Sequence, residues 1–492
     1  MSERPVSERS RLPTADDAVL MGLAAEAAKI RVDLDPHLPA GFAAGALAAG
    51  IKPSGRPDLA VVSVTTAGPA AAAAAFTQNL VQAAPVRLSR EHLAATVSRE
   101  PVSCTGGASA DSPGAAPPGA SRAAPPEVGR TTPAAAPGAE HRLPHGRARA
   151  VLVTSGCANA ATGPAGDADQ EAIARQLAET VGCSPEETLL ASTGLIGTRL
   201  PVERVAAGIA ALVPGGLAAE DASLAGVARA MMTTDRRLKA ASVRLDLPEG
   251  STLRPVWVSG VVKGVGMLHP GMATMIALLL TDATVAPATL AALLRPAVAL
   301  SFDQLTVDGD TSTNDTVFAL ASGAAGTDCV AADSPAAARL GAALAAVCRS
   351  LARQQAADGE GATCLITCRV AGAADLADAR AVSRAVVGSS LLKAAVHGRD
   401  PNWGRVAAAA GAARRPDGSA VALAVESLRI ALCGSPVFAG APLAFDAAAV
   451  SAQMAAPEVT IDLDLGLGGA AAEAWGCDLT EAYVRENAEY ST

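Results

Sequence analysis

The sequence predicts an α/β (α+β) fold, on three observations. Apolar patterns of strand and helix period alternate along the 492 residues. Half of the residues are hydrophobic, which supplies a sizeable core and excludes global disorder. No segment recurs at a fixed period of about 20–50 residues, which removes solenoids and propellers. At roughly 150 residues per domain the length suggests two or three domains.

Residues 1–27 read as a polar, irregular extension, and residues 100–147, rich in Pro, Gly, Ala and Ser, as a disordered surface insertion. Strands are predicted at 59–64, 148–154, 256–262, 274–280, 363–370, 421–425 and 459–465. Ile173, Leu177 and Val181 recur every four residues, which predicts a helix over 169–181 with Gly182 as its C-cap. Val202, Val205, Ile209 and Leu212 form a second amphipathic stripe. Alanine-rich helices follow near 287–300, 335–355 and 380–396, and a further one is expected through 317–322.

A net charge of −9 and a pI near 5.3 argue against a nucleic-acid partner, which needs a basic face. Three Trp, two Tyr and six Phe leave little for base stacking. The longest apolar stretches, such as 275–280, fall far short of the ~18 residues of a membrane span. The N-terminus has no apolar leader, so a cytoplasmic protein is expected. Nine scattered cysteines read as reduced core residues. Cys364 and Cys368 fall on one face of a predicted strand, where packing explains them better than zinc.

Familiar catalytic signatures (GxxxxGK[ST], GxSxG, HExxH) are absent. Gly466-Leu467-Gly468-Gly469 reads as a tight strand-to-helix turn, since GxGG falls short of the GxGxxG dinucleotide fingerprint. Among the six histidines His141 and His145 stand four apart but fall in the expected insertion, so no metal is expected; His269 and His397 could serve as bases or be structural. The informative segment is 260–282, where a glycine-rich loop containing Lys263 runs into Thr274 at the head of an apolar run. On spacing alone Thr274 could simply open a strand. Polar clusters at 191–194, 233–235 and 307–315 could equally be caps and turns.

Taken together, GIKPSGRPDLAVV (50–62), TSGCANAATG (154–163), ASTGLIG (191–197), MTTD (232–235), VKGVGMLHPGMATM (262–275), TVDGDTSTNDTV (306–317), DGEGAT (358–363), DPNWGRV (400–406) and GCDLTEAYVRENAEYST (476–492) carry a resemblance. The chain resembles the glutamate N-acetyltransferase / ornithine acetyltransferase family of arginine biosynthesis. The resemblance implies an αββα sandwich of the type shared with the DmpA-like aminopeptidases that use an N-terminal nucleophile, plus a smaller C-terminal α/β subdomain at about 375–492. It implies self-cleavage between Ala273 and Thr274, giving segments 28–273 and 274–492 beyond the extension. Thr274 would then be the nucleophile, activated by its own α-amine. Thr193 and Gly194 would form the oxyanion hole, and Thr233, Lys263, Thr274, Glu360, Asn487 and Thr492 would bind substrate.

The implied reaction moves acetyl from N-acetylornithine to glutamate, without a cofactor or metal, acetyl-CoA being an additional candidate co-substrate. An (αβ)2 assembly after cleavage is implied as well. Cys157, Ala161, Arg236, Arg237 and Gly271 depart from the family pattern, and two added cations near Thr233 could favour another acceptor. The alternatives are a related acyltransferase acting on a different acyl-amino acid, and an uncut binding protein.

Overall fold

The computed structural model describes residues 15–97, 143–249, 252–269 and 275–489. The chain opens with α1 (Ala15–Lys29), β1 (Phe42–Leu47), β2 (Leu59–Val64), β3 (Ala70–Phe76), α2 (Ala84–Thr96), β4 (His145–Ala148) and β5 (Ala150–Cys157). Next come α3 (Gly163–Val181), β6 (Thr188–Leu195), α4 (Val202–Leu212), α5 (Asp221–Met231), β7 (Lys239–Glu249), β8 (Thr252–Lys263) and β9 (Ile276–Thr281). Then follow α6 (Pro287–Ala299), β10 (Thr316–Ala321), α7 (Pro335–Ala357), β11 (Leu365–Ala373), α8 (Leu376–Gly388), α9 (Ser390–His397) and α10 (Trp403–Ala412). The last elements are β12 (Arg429–Leu432), β13 (Ser435–Ala439), α11 (Ala447–Gln453), β14 (Glu458–Asp464), β15 (Ala470–Cys477) and α12 (Glu481–Glu489).

These strands build three sheets: β1-β2-β5-β6, β4-β3-β10-β9-β8-β7 and β13-β12-β14-β11-β15. Period-2 alternation sorts the first sheet's side chains. Leu59, Val61, Leu152 and Leu190 pack on Ile173 and Leu177 of α3 and Val205 and Ile209 of α4. The alternate residues Ala60, Val62, Val151, Val153 and Leu189 enter a core shared with the second sheet. The second sheet is buried on both faces, and a Cβ at Gly260 of β8 would meet Val347 and Leu351 of α7. The layers therefore run helix, sheet, sheet, helix, an αββα sandwich.

Burial on both faces explains the unbroken apolar runs of β9 and β10, each fully buried Leu or Val contributing about 1.5–3 kcal/mol. The third sheet has its own core, in which Ile366, Cys368 and Val370 of β11 meet Val382 and Val386 of α8 and Val406 of α10. Cys364 belongs to the same core, in keeping with packing rather than zinc. Among the described residues no helix is long and apolar enough to cross a membrane.

Several expectations are corrected. Residues 15–29 form a helix, since their alanines and leucines pack on α7. The expected insertion stops short of 147, because His145–Ala148 pairs with β3. Residues 98–142 lie outside the described ones. The segment through 317–322 is a strand rather than a helix, paired on one side with β3 and on the other with β9. Residues 421–425 form no strand; the Ala422 N–H is taken by the Asp378 carboxylate instead.

The helix expected over 380–396 is two helices, broken at Ser389, whose side chain caps the second. The Gly466–Gly469 turn leads into strand β15, not a helix. Gly182 does cap α3, with φ +80 and its N–H bonded to the Ala178 carbonyl. Among the described residues seven cysteines are free thiols, but Cys329, half-buried in the loop after β10, is disulfide-bonded, which corrects the expectation of an all-reduced chain.

Candidate active site

The parallel pair β5–β6 loses its regular register at Gly156, Cys157 and Gly194. Gly194 has φ +132, and a Cβ there would stand 2.4 Å from the Gly156 carbonyl carbon, so only glycine lets the strands close here. Thr193 and Gly194 thereby line a small cavity together with Thr233, Lys263, Glu360 and Asn487. Six residues expected from the sequence converge there from five separate chain segments. Ala273, Thr274 and Thr492 lie outside the described residues.

Lys263 ends β8 and is 2% exposed. Its Nζ donates to Thr193 Oγ1 at 3.1 Å and to Thr233 Oγ1 at 2.9 Å. Burial pulls its amine below the ordinary lysine range, and the Asp235 charge opposes that pull. Ile276 stands directly opposite Lys263 in the β8–β9 ladder, so the start of β9 adjoins the cavity. The next fixed point is Asp315: its Oδ1 accepts the Met275 N–H at 2.7 Å. Its Oδ2 is buried without a partner, and burial pushes the carboxyl well above the usual carboxylate range.

Glu360 is held on both oxygens, by the Thr234 hydroxyl at 2.7 Å and the Asn487 amide at 2.9 Å. Gly266 makes room for it, since a Cβ there would lie 2.3 Å from Glu360 Oε2. Helix α12, which carries Asn487, is tied down by Thr480 Oγ1 donating to the Gly361 carbonyl at 2.7 Å. Asn314 braces the opposite wall, its Nδ2 donating to the carbonyls of Ala158 and Ser192 at 2.7 and 2.8 Å.

Beneath the site lies a buried ionic knot. Lys239, 1% exposed, donates to Asp235 Oδ1 at 2.8 Å and Asp358 Oδ2 at 2.6 Å. Asp235 also accepts the N–H groups of Gly264 and Thr233, and Asp358 those of Arg236 and Arg237. Burial alone would raise Asp235, but Lys263 and Lys239 hold it below the usual carboxylate range. The knot thus fixes the loop bearing Thr233 and the turn bearing Glu360 to the end of β8. Lys52 adds a strap, donating to the Ala230 and Met232 carbonyls at 3.1 and 2.6 Å. Burial lowers its amine to about 8, with Asp58 opposing.

A family model described as the ArgJ family matches residues 43–116 and 130–492. The chain belongs to the ArgJ family. An arginine biosynthesis bifunctional protein ArgJ of a Synechococcus strain is 41% identical over 469 residues, covering 92% of this chain and 96% of that one. The ArgJ protein of Deinococcus radiodurans is 42% identical over 459 residues, covering 93% and 98%. That of Thermus thermophilus is 41% identical over 458 residues, covering 93% and 99%. A crystal structure of ArgJ from Bacillus halodurans aligns at 39% identity and TM-score 0.41, over 42% of this chain and 96% of that one. An ornithine acetyltransferase from Mycobacterium tuberculosis complexed with ornithine aligns at 31% identity and TM-score 0.35, over 49% and 98%.

Within this ArgJ-family chain the described residues among those that depart from the expected pattern do not line the cavity. Arg236 is paired with Glu486 of α12, and neither it nor Arg237 lines the cavity. Cys157 packs in the outer core with its Sγ near the Thr198 carbonyl. Ala161 is exposed, and Gly271 lies outside the described residues. The two histidines considered as bases are elsewhere: His397 bonds Asp478 at 3.1 Å, and His269 faces another cavity. Sequence reasoning singled out the segments that hold Asp315 (307–315) and Asp358 (358–363) but gave neither carboxylate a role, and it passed over Lys239, whose signal, the i, i+4 spacing from Asp235, reads on its own as surface charge.

Proposed function

We propose that the chain is a self-cleaving N-terminal-threonine acetyltransferase that moves acetyl from N-acetylornithine to glutamate. Acyl transfer in arginine biosynthesis is the activity of its family. The observation that carries the finer reading is the convergence of Thr193, Gly194, Thr233, Lys263, Glu360 and Asn487 on one cavity. Ile276, two residues after Thr274 in the sequence, pairs with Lys263 in the β8–β9 ladder.

In this reading the Thr274 hydroxyl attacks the Ala273 carbonyl, and water hydrolyses the ester. The freed α-amine, with a pKa near ~8, then takes the hydroxyl proton during attack on the substrate acetamide. Thr193 and the Gly194 N–H face the developing oxyanion, one such donor being worth about 2.7–4 kcal/mol. Lys263 meets the substrate carboxylate and Glu360 the side-chain ammonium of the ornithine moiety. Ornithine leaves, and the glutamate amine attacks the acetyl-threonine to regenerate the enzyme. The transfer uses protein groups alone, in a cytoplasmic (αβ)2 enzyme. A matrix of donors (N-acetylornithine, acetyl-CoA) and acceptors (glutamate, other amino acids) on the processed protein tests it. Transfer from N-acetylornithine to glutamate is expected, and failure of that pair beside success of another would overturn the assignment.

A further inference from the structure

A cavity of about 670 Å³, separate from the candidate active site, opens between α6, α8 and the segment after α10. Four arginines line it, Arg295, Arg380, Arg384 and Arg414, with His269 also in the wall and Asp303 as the carboxylate among the lining residues. On a chain with a net charge of −9, this is a local reversal of sign.

Protein partners do not use up that charge. Asp303 is shared, 3.5 Å from Arg295 and 3.8 Å from Arg380. Arg380 also donates to Gln304 Oε1 at 3.1 Å and feels the charge of Asp17. Arg384 has no ion pair among the described residues. Its acceptors are the Asp303 carbonyl and Gln304 Oε1, both at 3.5 Å, the far limit of a hydrogen bond. Arg414 donates to the Ala412 and Ala413 carbonyls, which carry no net charge. Burial, with Arg380 adding to it, lowers Arg384 to about 10. Gathering guanidinium groups in a partly desolvated pocket is costly unless an anion supplies the missing charge.

We propose that this cavity binds a phosphate-bearing ligand, held by Arg384, Arg380 and Arg295. A guanidinium fork matches phosphate oxygens bidentately, and a compact group of two or more negative charges answers several cations better than one carboxylate does. Ser389, the N-cap of α9, stands in the same wall next to Gly388, the last residue of α8, so the two helix ends there offset each other and the arginines carry the attraction.

The test is isothermal titration calorimetry on the full chain at low ionic strength, with pyrophosphate, orthophosphate and succinate as separate arms. Saturable one-to-one binding of the phosphates is expected, with succinate much weaker. Arg384→Gln should lower pyrophosphate affinity by about tenfold or more, whereas Lys263→Met, in the other cavity, should leave it unchanged. Because removing a buried guanidinium can unfold a protein, Arg295→Gln, on a side chain 44% exposed, is the second variant, and thermal midpoints accompany both. Partial burial and Arg384 hold the His269 imidazole below its ordinary range, so bound pyrophosphate should move its NMR titration upward. Absence of saturable binding, succinate binding as tightly as pyrophosphate, or unchanged affinity in folded Arg384→Gln and Arg295→Gln would each overturn the proposal.

Discussion

Lys239→Met cuts the knot beneath the candidate active site without touching a cavity-lining residue. The substitution keeps the volume but leaves Asp235 and Asp358 buried without their shared cation. Breaking a buried pair from one side costs about 3–5 kcal/mol. Each carboxylate retains two backbone N–H donors, so a value near the lower end, about 3 kcal/mol, is expected. Urea unfolding should show a lower midpoint at unchanged slope. Turnover per folded molecule should also fall, because Thr233 and Gly264 are anchored through Asp235. In the Lys239→Met background, Asp358→Asn should recover part of the stability, since it removes one unpaired charge. Unchanged stability in the single variant, or no recovery in the double, would refute the reasoning.

Thr193→Ala removes the hydroxyl that Lys263 contacts at 3.1 Å. It should lower kcat roughly 10²-fold with little change in KM, measured on processed chain; wild-type kcat would remove Thr193 from the oxyanion hole. Glu360→Gln keeps the shape but not the charge, and should raise KM for the cationic donor about tenfold while sparing a donor without an ammonium. An equal effect on both donors would contradict the assigned contact. Lys52, at about 8 when folded and near 10.5 unfolded, binds its proton more weakly in the native state. The unfolded chain therefore holds more protons between those values, and stability attributable to Lys52 should rise with pH across that window. Solvent screening keeps the amplitude below that of the full shift. Lys52→Met should flatten the slope, and an unchanged slope would rule the lysine out.

Periodicity carried much of the fold. β2 was legible to the residue because Leu59 to Val64 combine β-branching with burial on both faces. β10 was not, because its run Val317 to Ala321 has no polar alternation, and only pairing with β3 and β9 decides strand over helix. Helix α1 was hidden because its partner α7 is remote in sequence. The site shows the same divide. Thr193, Thr233, Lys263 and Glu360 sit in motifs, but each motif alone reads as a turn or cap. The role of Lys239 is invisible without Asp358, which tertiary folding brings to 2.6 Å.

The most direct measurement is intact mass spectrometry of the purified protein before and after incubation with N-acetylornithine in the absence of acceptor. The account predicts two fragments, one ending at Ala273 and one beginning at Thr274, with the second gaining the mass of one acetyl group and losing it when glutamate is added. Thr274→Ala should remain a single unmodified chain. An uncut wild-type chain that still transfers acetyl, or a processed one that turns over without any acetyl on the Thr274 fragment, would contradict it.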